Sequence, residues 1–444
     1  MNVAAASLAA ASSEEIAPRV KEAVLENGLK VLILPAGKAP VATLQVWYRV
    51  GSRNEQLGKT GLSHLLEHMM FKGTEKTGPE EFTRIVQRNG GESNAFTSTD
   101  YTTYFETLAA DRLPIMLGLE ADRMRGLKLV DELFQPELKV VMEERRLRSV
   151  DNPWGALFEE LAATAYRAHP YMWPIVGWMR DLETTTLQDL QKHYETYYAP
   201  NNAVVVIAGD VDPEKTLEEV RKVFGELEPG ALPPAVTPIE PVQNGERRVV
   251  VKKEANLASL VYAYHVPNVR HPDASALEVM STILSGGESS RLYRKLVIEK
   301  RLALDISADF PLLSLDPNLF TFTAQAFPNT KIAELEKAID DEIAKLIAKG
   351  VEERELTKAK NQLEAQFVFA QDSNFYQAML LARFELNGDF RGIDRYLPGV
   401  RAVTAADVQR VAREYLVEDH RTVGTLIPTG PSKKPMMPPS GALH

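Results

Sequence analysis

The strongest constraint on how this chain folds is an internal repeat. The stretch "TLQDLQKHYETYY" from Thr186 and the stretch "TAADVQRVAREYL" from Thr404 share Thr, Asp, Gln and Tyr in step, and Glu137-Leu138 in "PELKVVMEE" recurs as Glu355-Leu356 in "RELTKAKNQ". Both matches fall at an offset of 218 residues. Each copy of a unit this long must bury its own apolar face, so the 444 residues are organised as two similar domains. Between the copies, "EPGALPPAVTPIEPVQNGE" at 228–246 has five prolines and neither a helical nor a strand period, and reads as a linker. The expected division is an N-terminal tail 1–18, a first domain 19–227, the linker 228–246 and a second domain 247–444.

Within the first copy, "GLKVLILP" and "VATLQVWYRV" read as strands, and "ESNAFTST" and "YTTYFETL", separated by Asp100, as a strand pair. Helical patterns run near 60–70, 79–89, 111–126 and 135–150, followed by the repeated helix and a strand at 203–209. Hairpins interspersed with helices predict an α+β class, with two tandem homologous domains, each a mainly antiparallel sheet packed with helices.

The segment "TGLSHLLEHMMFKGT", residues 60–74, carries chemistry. Leu62, Leu65, Leu66, Met69 and Met70 recur at helical spacing and form a core-facing stripe. His64, Glu67 and His68 lie at i, i+3 and i+4, so they share the opposite face and are not core histidines. The chain has no cysteine, so a transition-metal site must be built from His and carboxylate. A hydrolytic zinc site takes three protein ligands and keeps one position open. In "QPELKVVMEERR", Glu137 and Glu144 are two helical turns apart on one face, while Glu143 points about 100° away. Glu144 is therefore the expected third metal ligand beside His64 and His68, with Glu137 as an outer acidic group on the same face. Glu67, one residue before His68, can reach a metal-bound water without binding the metal, and is the expected general base. The catalytic candidates are Glu67 and Glu137, and the expected cofactor is Zn2+.

With a net charge of −10 and no dense Lys/Arg block, nucleic acid is excluded as a partner. No apolar run of about 18 residues predicts a transmembrane segment. The Ala-rich start "MNVAAASLAAASSEE" is similar to the end of a trimmed secretion signal, which leans the compartment towards the periplasm over the cytoplasm.

The order His-x-x-Glu-His inverts the common zincin motif. Together with "NAFTSTDYTTYF", "ELKVVMEE" and, in the second half, "SSRLYRKLVIEKR", it makes the chain resemble the pitrilysin and insulin-degrading-enzyme family, in particular the short-chain branch that includes the beta subunit of mitochondrial processing peptidase. The resemblance implies zinc ligands at His64, His68 and Glu144, a base at Glu67 and a second acidic residue at Glu137. It also implies that backbone groups of Asn94, Ala95, Phe96 and Thr97 take an extended peptide substrate by strand addition. Family members that complete their own site carry an Arg and, seven residues on, a Tyr in the second half. Those places are Ile298 and Asp305 here, and the counterpart of Glu144 is Gln362. The resemblance thus implies a zinc metalloendopeptidase acting as the catalytic half of a hetero-oligomer, with a homologous subunit supplying the Arg/Tyr pair. Since relatives include metal-free subunits, a non-catalytic peptide-binding or scaffold role is the alternative.

Overall fold

The computed structural model describes residues 15–37 and 39–431. It contains two sheets of matching topology. The first is built from β1 (Lys21–Val24), β2 (Lys30–Pro35), β3 (Val41–Tyr48), β4 (Glu92–Thr97), β5 (Thr102–Ala109) and β6 (Ala203–Gly209), in the order β1-β2-β6-β3-β5-β4. The second comprises β7 (Arg247–Lys253), β8 (Ser259–Val266), β9 (Ala303–Asp309), β10 (Asn318–Ala326) and β11 (Arg421–Pro428), in the order β7-β11-β8-β10-β9. Without β1, the first order becomes the second. Each sheet has one parallel pair, β2 with β6 and β7 with β11, and is otherwise antiparallel. The repeat holds in detail: β8 begins and ends 218 residues after β3, and the Ala405–Tyr415 helix does so after the Leu187–Tyr197 helix. Both helices start with the same reciprocal cap, Thr186 with Asp189 and Thr404 with Asp407.

One face of each sheet packs on helices of its own half. Leu44, Val46 and Tyr48 of β3 meet Leu65, Leu66 and Met69 in one core, and Tyr262, Tyr264 and Phe322 meet Leu277, Met280 and Val411 in another. The opposite faces are covered reciprocally. The Pro153–Ala165 helix of the first half buries Trp154, Leu157 and Leu161 against Val261, Ala263 and Leu426 of the second sheet. The Asn374–Leu386 helix of the second half buries Ala378, Leu381 and Phe384 against Leu32, Leu34 and Val204 of the first. Each half thus completes the other's core.

Three details depart from the sequence reading. The stretch expected to be a tail to residue 18 is docked from Ile16, which is buried and whose N–H, with that of Ala17, is accepted by Asp394. The residues that suggested a trimmed signal, up to 14, lie outside the described residues. The 228–246 segment has no helix or strand, yet it is pinned: Glu240 accepts the N–H groups of Arg167, Ala168 and His169, and Gln243 donates to the Arg421 carbonyl. The helix expected at 135–150 runs from Asp131 to Arg145 and then widens into a π-helical turn, Arg146–Val150. Asp131 and Glu132 in the first turn complement the helix dipole, and the helix starts four residues before the expected 135. No described helix is long and apolar enough to cross a membrane.

Candidate metal centre

The Leu62–Met69 helix is positioned by its first turn. Glu55 accepts the N–H groups of Gly61 and Ser63, both at 2.7 Å, satisfying donors that a helix start leaves open. Gly61, at φ 92°, faces Gly177: a Cβ on Gly61 would stand 2.5 Å from the Val176 carbonyl, so the chain can pass this close only with glycine. With Leu62, Leu65, Leu66, Met69 and Met70 buried against the sheet, His64, Glu67 and His68 face the Asp131–Arg145 helix. That helix covers His64 so well that it is 4% exposed. It is a buried histidine after all, with Glu144 Oε2 3.7 Å from its Nε2.

The ligand atoms converge. One oxygen of Glu144, Oε2, lies 3.3 Å from His68 Nε2 and 3.7 Å from His64 Nε2. One ligand atom from each of the three residues falls within 4.8 Å of the others, the one such grouping of His, Asp and Glu among the described residues. Two imidazole nitrogens and one carboxylate oxygen form a donor set that fits zinc in its three-ligand hydrolytic arrangement.

Around this set the charges are ordered. Burial disfavours the charged form of His68, but hydrogen bonds to Glu137 and then Glu144 outweigh it and hold the ring up at about 9. Burial likewise opposes ionisation of Glu144, yet the His68 hydrogen bond and the nearby His64 and Arg148 charges hold it at about 2. Glu137, grouped with Glu67 from sequence, stands behind His68: its Oε1 meets His68 Nδ1 at 2.8 Å, and its Oε2 accepts from Lys72 at 2.6 Å. It touches the side of the ring away from the converging atoms. Glu67 is half-buried, burial pushes its carboxyl up, and Thr97 Oγ1 donates to its Oε2 at 2.6 Å.

The expected substrate strand is β4, the open edge of the first sheet, paired only with β5. Asn94 and Ala95 lie along that edge, Asn94 Oδ1 accepting the Ala95 N–H at 2.9 Å. Phe96 turns to the other face, against Trp47 and Tyr101, and Thr97 turns in to Glu67. The sequence reading missed three side chains: Thr97 as more than backbone, Lys72 behind Glu137, and Arg148, whose Nη2 lies 2.6 Å from Glu144 Oε1. The i+4 spacing of Lys72 from His68 and of Arg148 from Glu144 was the available signal.

At the 218-residue offset the second half has Thr282, Ser285, Gly286 and Gln362 where the first has His64, Glu67, His68 and Glu144. These residues line a cleft of about 570 Å³ that contains no histidine. Among the described residues, the one grouping that could hold a metal lies in the first half.

Residues 30–177 match the family described as Insulinase (Peptidase family M16), and residues 184–363 match its companion, Peptidase M16 inactive domain. A relative from Helicobacter pylori named zinc protease PqqE is 38% identical over 418 residues, covering 93% of each chain. The chain belongs to peptidase family M16. Among other M16 relatives, an Arabidopsis thaliana protein named probable mitochondrial-processing peptidase subunit beta is 28% identical over 93% of this chain and 79% of its own. The M16 fold is matched by the crystal structure of a protease from Helicobacter pylori, with a TM-score of 0.89 and 37% identity, covering 92% of this chain and 99% of that one.

Proposed function

We propose that the chain is a zinc metalloendopeptidase acting on extended or unfolded peptides. The observation that carries this reading is the convergence of His64 Nε2, His68 Nε2 and Glu144 Oε2 beside a half-buried Glu67. Bound zinc would supply a Lewis acid and a water acidified to about neutrality. With zinc held by His64, His68 and Glu144, Glu67 would serve as the general base towards water and pass the proton on to the leaving amine. Glu137, backed by Lys72, holds His68 by Nδ1, which keeps Nε2 turned to Glu144, and so would act on a bound metal through its ligand. The open edge of β4 would take the substrate main chain as an added strand, which selects for extended conformation more than for sequence. The names of the Helicobacter pylori and Arabidopsis relatives support a peptidase over a scaffold, as does the intact ligand set.

The chain's second half offers no donor for the developing oxyanion at the two expected places. Ile298 is an exposed apolar residue, and Asp305, on the outer strand β9, is exposed and acidic. Such donors are commonly worth about 100- to 1000-fold in rate. We therefore propose catalysis in a hetero-oligomer, with a homologous chain contributing an Arg and a Tyr. The test is zinc analysis of the purified chain together with cleavage of a peptide mixture, with and without chelator, alone and with candidate homologous chains. Stoichiometric zinc and chelator-sensitive cleavage that rises strongly with a partner is the expected result. Cleavage untouched by chelator would refute the metal reading, and full activity alone would refute the partner.

A further inference from the structure

Arg148 stands outside the ligand pattern, yet it is the cation closest to it: Nη2 lies 2.6 Å from Glu144 Oε1, while Glu144 Oε2 faces the two histidines. The neighbouring Arg146 turns outward to the exposed Glu143. Both arginines lie in the π-helical turn Arg146–Val150, a local widening of the kind often found at functional sites. This turn is held from two sides. A Cβ on Gly155 would stand 1.9 Å from the Arg148 carbonyl, so the Pro153–Ala165 helix presses directly on the backbone that carries Arg148. From the second half, Lys253 at the end of β7 donates Nζ to the carbonyls of Val150 and Ser149, capping the turn where its carbonyls lack helical partners.

We propose that Arg148 is a positioning residue for the metal: it holds one oxygen of Glu144 so that only the other is presented beside His64 and His68, and the second half fixes Arg148 through Lys253. The inference rests on the zinc reading. A glutamate free at all its torsions must be ordered when it binds, and a fixed guanidinium on Oε1 removes that cost beforehand. Charge acts in the other direction, since a cation beside the site repels a dication. Arg148 is about half exposed, at 52%, so water screens that repulsion. Loss of an outer hydrogen-bond partner of a metal ligand commonly costs about 10- to 100-fold in affinity or activity. Orientation is therefore expected to win.

The two effects have opposite signs, which makes zinc affinity decisive. The purified full chain and its Arg148→Ala, Lys253→Met and Arg146→Ala variants are titrated with zinc against a competing chelator, with circular dichroism confirming the fold. Arg148→Ala is expected to bind zinc about 10-fold or more weakly, Lys253→Met to weaken it in the same direction by less, and Arg146→Ala to leave it unchanged. Unchanged or tighter zinc binding in Arg148→Ala overturns the proposal. An effect of Arg148→Ala with none from Lys253→Met overturns the second half's part in it. Absence of zinc uptake by the unsubstituted chain would instead sink the metal reading itself.

Discussion

At the scale of single residues, the site is a set of carboxylates kept in different states by different neighbours. Glu144 is held ionised by the histidines and Arg148, Glu137 is held ionised by His68 and Lys72 against its burial, and burial pushes Glu67 up. The Thr97 hydroxyl is the direct hydrogen-bond anchor of Glu67, and a hydrogen bond to a charged group contributes about 1.5–3 kcal/mol. Thr97→Val is therefore expected to lower kcat about 10- to 100-fold with zinc retained, and Thr97→Ser to recover most of it. Steady-state rates of the two variants with zinc content measured alongside check this, and a Val variant as active as the Ser variant would contradict it. Beneath the metal helix, His193 is buried with Nε2 against Ser63 Oγ, and burial pushes its ring down to about 3. It stays neutral when folded, whereas the unfolded chain takes up that proton below about 6.5. The unfolded state then binds more protons, so this contribution to stability is full above about pH 6.5 and is lost as pH falls towards 3, by up to about 1.4 kcal/mol per pH unit. Urea unfolding between pH 7 and 5 should show a shallower acid loss for His193→Gln. Identical slopes would mean that His193 is not the titrating group.

At the scale of elements, much was legible because the signals were local. The apolar stripe of the metal helix and its His/Glu/His face each use residues within a few positions of one another. The edge position of β4 came only through the resemblance, since nothing in "ESNAFT" says which neighbour it lacks. Arg148 had a local signal in its i+4 spacing from Glu144, but the contacts of Gly155 and Lys253 with the turn that carries it come from elements not local to Glu144. Strand addition on β4 makes its own prediction. Proline lacks the N–H that a ladder uses, so a proline placed at successive positions of a good peptide should raise KM where the peptide lies along the edge. A flat proline scan would contradict strand addition.

At the scale of the whole molecule, the repeat is legible in sequence and the exchange of helices is not. Trp154, Leu157 and Leu161 form an apolar face that would suit any sheet, and only the assembled chain shows that they cover β8 and β11 of the other half. Because each half completes the other's core, the two should melt together. All four tryptophans lie in the first half, with Trp47 and Trp154 packed where the halves meet, so their fluorescence follows the first half and its contact with the second while far-ultraviolet circular dichroism follows the whole of both. The two midpoints are expected to coincide in urea, and separated midpoints would show the halves to be independent. The central claim is that the first half alone holds both zinc and the base, with separate residues for each. The measurement that tests it most directly is zinc content and peptide cleavage of Glu67→Gln beside Glu144→Gln, each assayed with the homologous partner that supports cleavage by the unsubstituted chain. The account predicts that Glu67→Gln keeps its zinc and loses cleavage while Glu144→Gln loses both; equal zinc loss in the two, or cleavage surviving in Glu67→Gln, would contradict it.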